Sequence, residues 1–155
     1  MQEIERKFLV KSKAFKKEAF KSSKLVQGFL NSDKSRTVRV RLTDDKGFLT
    51  IKGESSSSGV SRFEWETEIS RNEAESLLEL SEPGRIEKIR YYVKVGNHTF
   101  EIDEFLAENQ GLTVAEVELT SEDEDYQKPD WLGKEVTGDV KYYNSMLSKQ
   151  PFSKW

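Results

Sequence analysis

Two carboxylates and one ammonium group alternate with other residues near the start of the chain. Glu3, Glu5 and Lys7 are each separated by a single residue. Alternate side chains of a β-strand lie on one face, roughly 6.5 to 7 Å apart along the strand. Neighbouring carboxylates repel each other unless a cation or solvent lies between them. Oxygen ligands suit a hard divalent cation, and a nearby Lys suits an anion that the cation also binds, so this triplet predicts a metal and phosphate site.

The same alternation recurs in five later segments. Its charged members are Arg39 and Arg41, Glu64, Glu66 and Glu68, Lys88 and Arg90, Glu101 and Asp103, and Glu116 and Glu118. Each segment largely carries one sign of charge, whereas solvated surface strands usually mix the two signs. Two interpretations stay open at this point: the solvated face of an open sheet, or charged faces that line the inside of a closed barrel. The separation of the signs favours the barrel.

Cations on these registers suggest a highly charged anionic ligand. Arg can donate two hydrogen bonds at once to phosphate oxygens, and Lys adds a compact positive charge. The cations on the inferred inward face are Lys7, Arg39, Arg41, Lys52, Lys88 and Arg90. Together they match a chain of phosphates such as a triphosphate.

Turn signals divide the chain into about eight strands. The predicted strands are 2–10, 24–31, 36–43, 48–53, 61–69, 85–95, 98–106 and 112–120. Helices are predicted over 12–20, over 71–80 after the capping box of Ser70 and Glu73, and over 139–149, and Ser121 and Glu124 predict another helix start. Sequential hairpins without exposed edges favour a mainly β (α+β) fold, an eight-stranded antiparallel closed barrel with flanking helices.

Composition narrows the class of protein. The 155 residues predict a single domain spanning 1–155, and 11% aromatic residues argue against disorder. A net charge of −3 does not favour nucleic-acid binding, and no apolar run approaches the ~20 residues that span a bilayer. The N-terminus has the pattern of a strand rather than a signal peptide, and cysteine is absent. We therefore expect a cytoplasmic protein with no membrane or nucleic-acid partner.

These residues resemble the CYTH superfamily of triphosphate tunnel metalloenzymes, which is named for class IV adenylate cyclase and thiamine triphosphatase. Glu3-Ile4-Glu5-Arg6-Lys7 is similar to the N-terminal Glu-x-Glu-x-Lys signature of that family. The later matching segments, in family order, are Gln27–Leu30, Arg39–Arg41, Thr50–Lys52, Arg62–Glu66, Glu87–Arg90, the segment around Asp103, Glu116–Glu118 and Val136–Asp139. The resemblance covers almost the whole chain and implies an eight-stranded barrel that forms a tunnel.

The resemblance also implies roles for individual residues. It implies Mg²⁺ or Mn²⁺ as the cofactor and a small-molecule triphosphate as the substrate. The metal-binding positions it implies are Glu3, Glu5, Glu116 and Glu118, with Asp103, Glu64 and Glu66 as further acidic positions. The substrate-binding positions it implies are Lys7, Arg39, Arg41, Lys52, Lys88 and Arg90, with Glu5 and Lys88 as catalytic residues.

Three functions are compatible with this resemblance and with the charged strand faces. The first is metal-dependent hydrolysis of inorganic tripolyphosphate or of a nucleoside or other organic triphosphate. The second is an adenylate cyclase of class IV type, which forms cyclic AMP from ATP. The third is a non-catalytic binder of polyphosphate or nucleotide, which the retained carboxylates disfavour. The sequence leaves the oligomeric state open, and a homodimer is compatible with it.

One residue departs from the family pattern. Short bacterial relatives often have Tyr at the position of Phe29, where it is thought to pair with the Lys that matches Lys88. Phe cannot make that hydrogen bond, so Lys88 is expected to be freer here. The single histidine, His98, lies beside the Gly96-Asn97 turn and is expected to be an exposed loop residue.

Overall fold

The computed structural model describes residues 2–155, in which the backbone forms nine strands and three short α-helices. The strands are β1 Gln2–Val10, β2 Lys21–Asn31, β3 Arg36–Thr43, β4 Lys46–Gly53, β5 Ser61–Ile69, β6 Ile86–Val95, β7 His98–Phe105, β8 Thr113–Glu118 and β9 Leu132–Glu135. The α-helices are α1 Phe15–Glu18, α2 Arg71–Glu79 and α3 Asn144–Leu147. Short 3₁₀ turns occupy Ala107–Asn109, Val140–Tyr142 and Phe152–Lys154.

Eight of these strands close into an antiparallel barrel, as predicted. The strand order is β5-β4-β3-β2-β6-β7-β8-β1, and pairing of β1 with β5 completes the ring. The predicted path of sequential hairpins is wrong at two steps, from β1 to β2 and from β5 to β6. Instead, β1 pairs with β5 and β8, and β2 pairs with β6. The short strand β9 was not predicted and pairs with the C-terminal part of β1.

The outer face of β3 shows how the sequence orients the barrel. Val40 is fully buried and packs against Ala74 and Leu78 of α2. The capping box starts this helix as predicted, since Glu73 N–H donates to Ser70 Oγ and Ser70 N–H donates to Glu73 Oε1. Because successive side chains of a strand alternate, burial of Val40 against α2 directs its neighbours at 39 and 41 to the inside.

A second apolar cluster covers the opposite part of the barrel. Phe15 of α1, Phe100 of β7 and Trp131 are almost completely buried, and the ring of Phe15 meets that of Trp131 edge-on at 5.9 Å between centroids. Both clusters lie on the apolar faces of the strands, so the hydrophobic core lies outside the barrel wall. The charged faces are left to line the interior.

Three predicted helical segments differ from the structure. The helix expected over 12–20 covers only Phe15–Glu18, because Phe20 N–H already donates to the carbonyl of Tyr92 as the chain joins the sheet. No helix starts after Ser121, since the Glu124 carboxylate instead accepts bonds from the backbone and hydroxyl of Thr120.

The expected tail helix over 139–149 is also broken. Its 3₁₀ turn and α3 are separated by Tyr143, whose backbone is extended. The single histidine was expected to be an exposed loop residue, but His98 begins β7, is half-buried and bonds to Glu124. Within residues 2–155, no helix combines the length and apolar character that a membrane crossing requires.

Candidate functional site: a charged tunnel

A cavity inside the barrel collects the alternating charges. The sequence-predicted residues that line it are Glu3, Glu5, Lys7, Arg39, Arg41, Lys52, Glu64, Glu66, Lys88, Arg90, Glu116 and Glu118. Asp103 is not part of this lining, but it shares the strand face of Glu101 and contacts the lining residues Lys88 and Arg90. The charged strand faces therefore point inward, and the alternative of a solvated open sheet is wrong.

Strand order separates the two signs of charge around this cavity. The carboxylates come chiefly from β5, β1 and β8, which are neighbours because β1 pairs with both of the others. Their register places Glu5 opposite Glu118 and Lys7 opposite Glu116. Three of the four guanidinium groups, those of Arg39, Arg41 and Arg90, come from β3 and β6, on either side of β2, and the fourth is that of Arg62 on β5. The tunnel thus has one acidic wall and one basic wall.

One carboxylate pair on the acidic wall surrounds Lys52. Its Nζ donates to Glu3 Oε1 at 2.9 Å and lies 3.3 Å from Glu64 Oε2. Burial alone would raise the pKa of Glu3, but Lys52 and Arg62 lower it to about 2. Burial and the adjacent Glu3 raise the pKa of Glu64 to about 7. The two acids are therefore close enough for a single cation to serve both.

A second carboxylate pair surrounds Lys7. Its Nζ lies 2.7 Å from Glu116 Oε1 and 3.1 Å from Glu5 Oε1. Burial alone would lower the pKa of Lys7, but these two carboxylates raise it well above its ordinary value. Burial and the nearby Glu3 and Glu101 raise the pKa of Glu118. The acidic wall holds more negative charge than its lysines neutralise.

The two arginines that β3 contributes to the basic wall are only partly matched by acceptors. Arg39 donates to Thr50 Oγ1 at 3.1 Å and lies 3.6 Å from Glu66, while its buried Nε has no hydrogen-bond partner among residues 2–155. Arg41 Nε donates to Gln27 Oε1 at 3.0 Å. Burial, together with Arg39 and Arg90, lowers the pKa of Arg41 to about 9. An anion between these side chains would supply the missing acceptors and the missing negative charge.

Asp103 of β7 forms ion pairs with Lys88 and Arg90, the two cations of the neighbouring strand β6. Its carboxylate accepts two bonds from Arg90 at 2.7 and 2.9 Å and lies 2.8 Å from Lys88 Nζ. Both carboxylate oxygens are thereby used, and the side chain is 2% exposed. The expected role of Asp103 as a metal ligand is at odds with this arrangement. The geometry instead assigns it to holding Lys88 and Arg90.

The expectation that Lys88 is freer because of Phe29 is wrong. Phe29 does line the cavity, but Lys88 Nζ also donates to Asn144 Oδ1 at 2.9 Å and its side chain is 1% exposed. Burial lowers the pKa of Lys88 to about 7, with Asp103 acting against that change and Arg90 and Arg41 adding to it. The partner missing at position 29 is thus supplied from the C-terminal part of the chain.

Several residues of the cavity wall were not among the predicted site residues. They are Phe29, Thr37, Arg62, Glu101, Tyr143, Asn144 and Ser145. Arg62 and Glu101 share the alternating register of Glu64 and Asp103, so periodicity alone points to them. Tyr143 and Asn144 carry no such signal, because they follow the last strand and reach the cavity only through tertiary packing.

The carboxylates of the acidic wall form a donor set for Mg²⁺ or Mn²⁺ that a phosphate ligand would complete. Within residues 2–155, no group of three acidic or histidine side chains already surrounds one point. Mg²⁺, however, is commonly held by one or two carboxylates together with water and substrate phosphates. The crowded carboxylates around Lys7 and Lys52 are oxygen donors of that kind, at sites where negative charge is in excess. The residues therefore fit such a metal when it arrives with a phosphate ligand.

The fold and the site together define a closed β-barrel whose interior is a tunnel with opposed acidic and basic walls. A family model described as the CYTH domain matches residues 1–151. The chain therefore belongs to the CYTH domain family, as the sequence resemblance predicted.

Relatives with assigned activities match almost the full chain. An inorganic triphosphatase of Acetivibrio thermocellus is 50% identical over 151 residues, which cover 97% of this chain and 95% of that protein. An inorganic triphosphatase of Nitrosomonas europaea is 38% identical over 152 residues, covering 96% and 97% of the two chains. The crystal structure of an inorganic triphosphatase superposes with a TM-score of 0.62 at 35% identity, covering 94% of this chain and 96% of that chain.

Proposed function

We propose that this protein is a metal-dependent triphosphatase that hydrolyses inorganic tripolyphosphate or a related organic triphosphate inside the tunnel. The observation that carries the proposal is the state of Arg39 and Arg41. Both line the cavity from β3, and Arg39 keeps a buried N–H without an acceptor. Burial of positive charge that is only partly paired is costly, so an anion of several phosphates is the natural complement.

The relatives favour hydrolysis over the other two functions. The two curated relatives, at 50% and 38% identity, are both named inorganic triphosphatases. An adenylate cyclase would need a site that recognises adenine and activates the ribose 3′-hydroxyl, and no observation specifically favours it. A non-catalytic binder has no need for the inward carboxylates of the acidic wall, all of which are present.

The acidic wall would hold Mg²⁺ or Mn²⁺. The residues proposed to hold it are Glu3, Glu5, Glu64, Glu66, Glu116 and Glu118. When bound, the metal neutralises phosphate oxygens and lowers the pKa of a water molecule. Asp103 is left out of this set because Lys88 and Arg90 already use both of its oxygens.

The protein side chains bind and orient the phosphate chain across the tunnel. Arg39, Arg41 and Arg90 donate hydrogen bonds to phosphate oxygens and stabilise the charge that grows on them during transfer. A water oxygen then attacks the terminal phosphorus as the bond to the bridging oxygen breaks, which gives phosphate and pyrophosphate from tripolyphosphate. Lys88, whose pKa is about 7, can hold or release a proton at Nζ near neutral pH.

A substrate panel tests the proposal. Purified protein is assayed for phosphate release from tripolyphosphate, ATP and thiamine triphosphate, with Mg²⁺, with Mn²⁺ and with excess chelator, and cyclic AMP is measured in the ATP reactions. We expect metal-dependent release from at least tripolyphosphate and no cyclic AMP. Absence of release from all three substrates refutes hydrolysis, and formation of cyclic AMP with pyrophosphate favours the cyclase.

Other expectations remain predictions. They are a single domain over residues 1–155, a cytoplasmic location, a small-molecule partner rather than nucleic acid or membrane, and a homodimer as one state of assembly. Size-exclusion chromatography with light scattering measures the oligomeric state directly.

A further inference from the structure

The segment from Val136 to Leu147, called the tail segment below, lies against the end of the barrel at which β1 ends and β6 begins. Val136 N–H donates to the carbonyl of Lys7 at 2.8 Å, and Lys7 N–H donates to Thr137 Oγ1 at 2.9 Å. Gly138 then meets Gly59 so closely that a Cβ built on Gly59 would lie 2.3 Å from Gly138 Cα. Backbone contact therefore fixes the path of this segment toward the tunnel.

Asn144 of the tail segment connects two cations inside the tunnel. Its Oδ1 accepts from Lys88 Nζ at 2.9 Å and from Gln27 Nε2 at 2.9 Å. Gln27 Oε1 in turn accepts from Arg41 Nε at 3.0 Å. An unbroken chain of hydrogen bonds thus runs from Lys88 to Arg41 through two carboxamides on different parts of the polypeptide.

The chemistry of the two cations fixes the orientation of both carboxamides. A charged Lys and an Arg are donors only, so the atom that faces each of them must be an oxygen. The Gln27 oxygen faces Arg41, which leaves its amino group to donate toward the Asn144 oxygen. A flip of either carboxamide would bring donor against donor, so this arrangement is the one that satisfies every group.

The tail segment does not depend on Asn144 for its attachment. Tyr142 and Leu147 on either side are buried in an apolar cluster with Ile86 and Phe105. The hydroxyl of Tyr143 also lies 3.2 Å from Ser55 Oγ. The carboxamide of Asn144 therefore has a more specific role than holding the segment in place.

We propose that Asn144 is a positioning residue, whose carboxamide orients Lys88 directly and Arg41 through Gln27 toward the bound phosphates. The inference rests on the proposed triphosphatase function and deepens it, because it makes the C-terminal part of the chain a component of the site. Asn144 itself acts through Lys88 and Gln27. Loss of its oxygen leaves Lys88 with Asp103 as its remaining partner, which draws the ammonium group away from the cavity and toward the wall.

Three variants separate this role from a general structural one. Asn144→Ala removes the acceptor, and Asn144→Asp keeps an acceptor oxygen but adds negative charge. Ser148→Ala removes the hydrogen bond that the Ser148 hydroxyl donates to the Ser145 carbonyl, and the Ser148 side chain does not line the cavity. For tripolyphosphate with Mg²⁺, we expect Asn144→Ala to lower kcat about 10- to 100-fold. Asn144→Asp should keep most of kcat and raise KM, because its carboxylate repels the phosphates. Ser148→Ala should match the wild type.

A double-variant cycle tests whether Asn144 acts through Lys88. If it does, adding Asn144→Ala to Lys88→Met lowers kcat by a clearly smaller factor than Asn144→Ala does in the wild type, because only the route to Arg41 through Gln27 is left to lose. Full additivity of the two losses overturns the proposal, as does an unchanged kcat in folded Asn144→Ala. If Asn144→Ala fails to fold, the kcat of Asn144→Asp decides instead. Retention of most of kcat supports the proposal. A loss of 10-fold or more, which is about the size expected from losing the hydrogen bond, overturns it.

Binding measurements keep this inference separate from the proposed function. Should the wild type bind tripolyphosphate without hydrolysing it, the triphosphatase proposal fails, and calorimetry of tripolyphosphate binding then compares the same variants. Weaker binding by Asn144→Ala but not by Ser148→Ala still supports positioning, and equal affinity overturns it. A wild type that neither binds nor hydrolyses tripolyphosphate overturns both proposals.

Discussion

The carboxylate of Asp103 and the ammonium group of Lys88 lie 2.8 Å apart at the wall of the tunnel, and their side chains are 2% and 1% exposed. The same carboxylate also accepts both bonds from Arg90. Burial alone would raise the pKa of Asp103, but Arg90 and Lys88 hold it far below its ordinary range. One buried anion thus compensates two cations of the substrate site.

Asp103→Asn is therefore expected to destabilise the fold. Removing one partner from a buried ionic group typically costs about 3–5 kcal/mol, and here two cations lose their counter-ion. Urea denaturation should show this loss in the free energy of unfolding. Glu104→Gln is the matched control on the same strand, because its partner Lys16 lies at the surface and the expected cost is below about 1 kcal/mol. Equal costs for the two variants contradict the role given to Asp103.

Lys88 should take up a proton when the substrate binds. Its pKa of about 7 in the free protein leaves it mostly neutral at pH 8, whereas nearby phosphates favour the charged form and raise that pKa. Calorimetry of tripolyphosphate binding without metal, at pH 8 in two buffers of different ionisation enthalpy, measures the protons exchanged. On binding tripolyphosphate, the wild type should take up roughly one proton more per protein molecule than Lys88→Met does. Identical proton exchange in both proteins argues against a neutral Lys88.

The depressed pKa of Lys88 also fixes the sign of its effect on stability. The unfolded chain holds this proton up to about pH 10.5, the ordinary value, while the folded protein releases it near 7. Between these values the unfolded state binds more protons, so this residue makes stability rise with pH. In Lys88→Met, the free energy of unfolding should change less between pH 7 and pH 9 than in the wild type. A larger rise in the variant runs against this assignment.

Glu5→Gln should abolish metal-dependent turnover and leave the protein folded. The substitution replaces a charged carboxylate, which is a proposed metal ligand, by a neutral carboxamide. We therefore expect kcat to fall at least about 100-fold. The fold is expected to persist because Lys7 keeps Glu116 at 2.7 Å. Circular dichroism and phosphate release check the two parts. Glu135→Gln, which alters an ion pair with Arg6 outside the barrel, is the control and should stay active. Unchanged activity of Glu5→Gln removes the basis for the metal site.

Arg41→Ala should weaken triphosphate binding without lowering stability. Burial near Arg39 and Arg90 lowers the pKa of Arg41 to about 9, so its charge is unfavourable in the free protein. We expect the affinity for tripolyphosphate to fall about 10- to 100-fold, while the free energy of unfolding stays constant or rises. Calorimetry and urea denaturation measure the two quantities. The exposed Arg36→Ala, on the same strand, should change neither. A large loss of stability in Arg41→Ala contradicts the view that this charge is held ready for an anion.

Much of the site was predictable because strand periodicity is local. Alternation places Glu3, Glu5 and Lys7 on one face, and the structure puts that face inside the barrel. The capping box at Ser70 and Glu73 was equally predictable, since its hydrogen bonds join residues three apart. The structure of the tail was not predictable, because Tyr143 breaks the expected helix and the position of Asn144 depends on contacts across the barrel.

The sequence by itself determined which side chains share a strand face, and hence that acidic and basic faces exist. Only the tertiary structure decided how those faces meet. Pairing of β1 with both β5 and β8 places Glu3 beside Glu64 and Glu5 beside Glu116, although these residues are far apart in the chain. The same closure commits Asp103 to Lys88 and Arg90 and brings Asn144 into the tunnel. Such contacts follow from barrel closure and packing, which no local spacing of residues specifies.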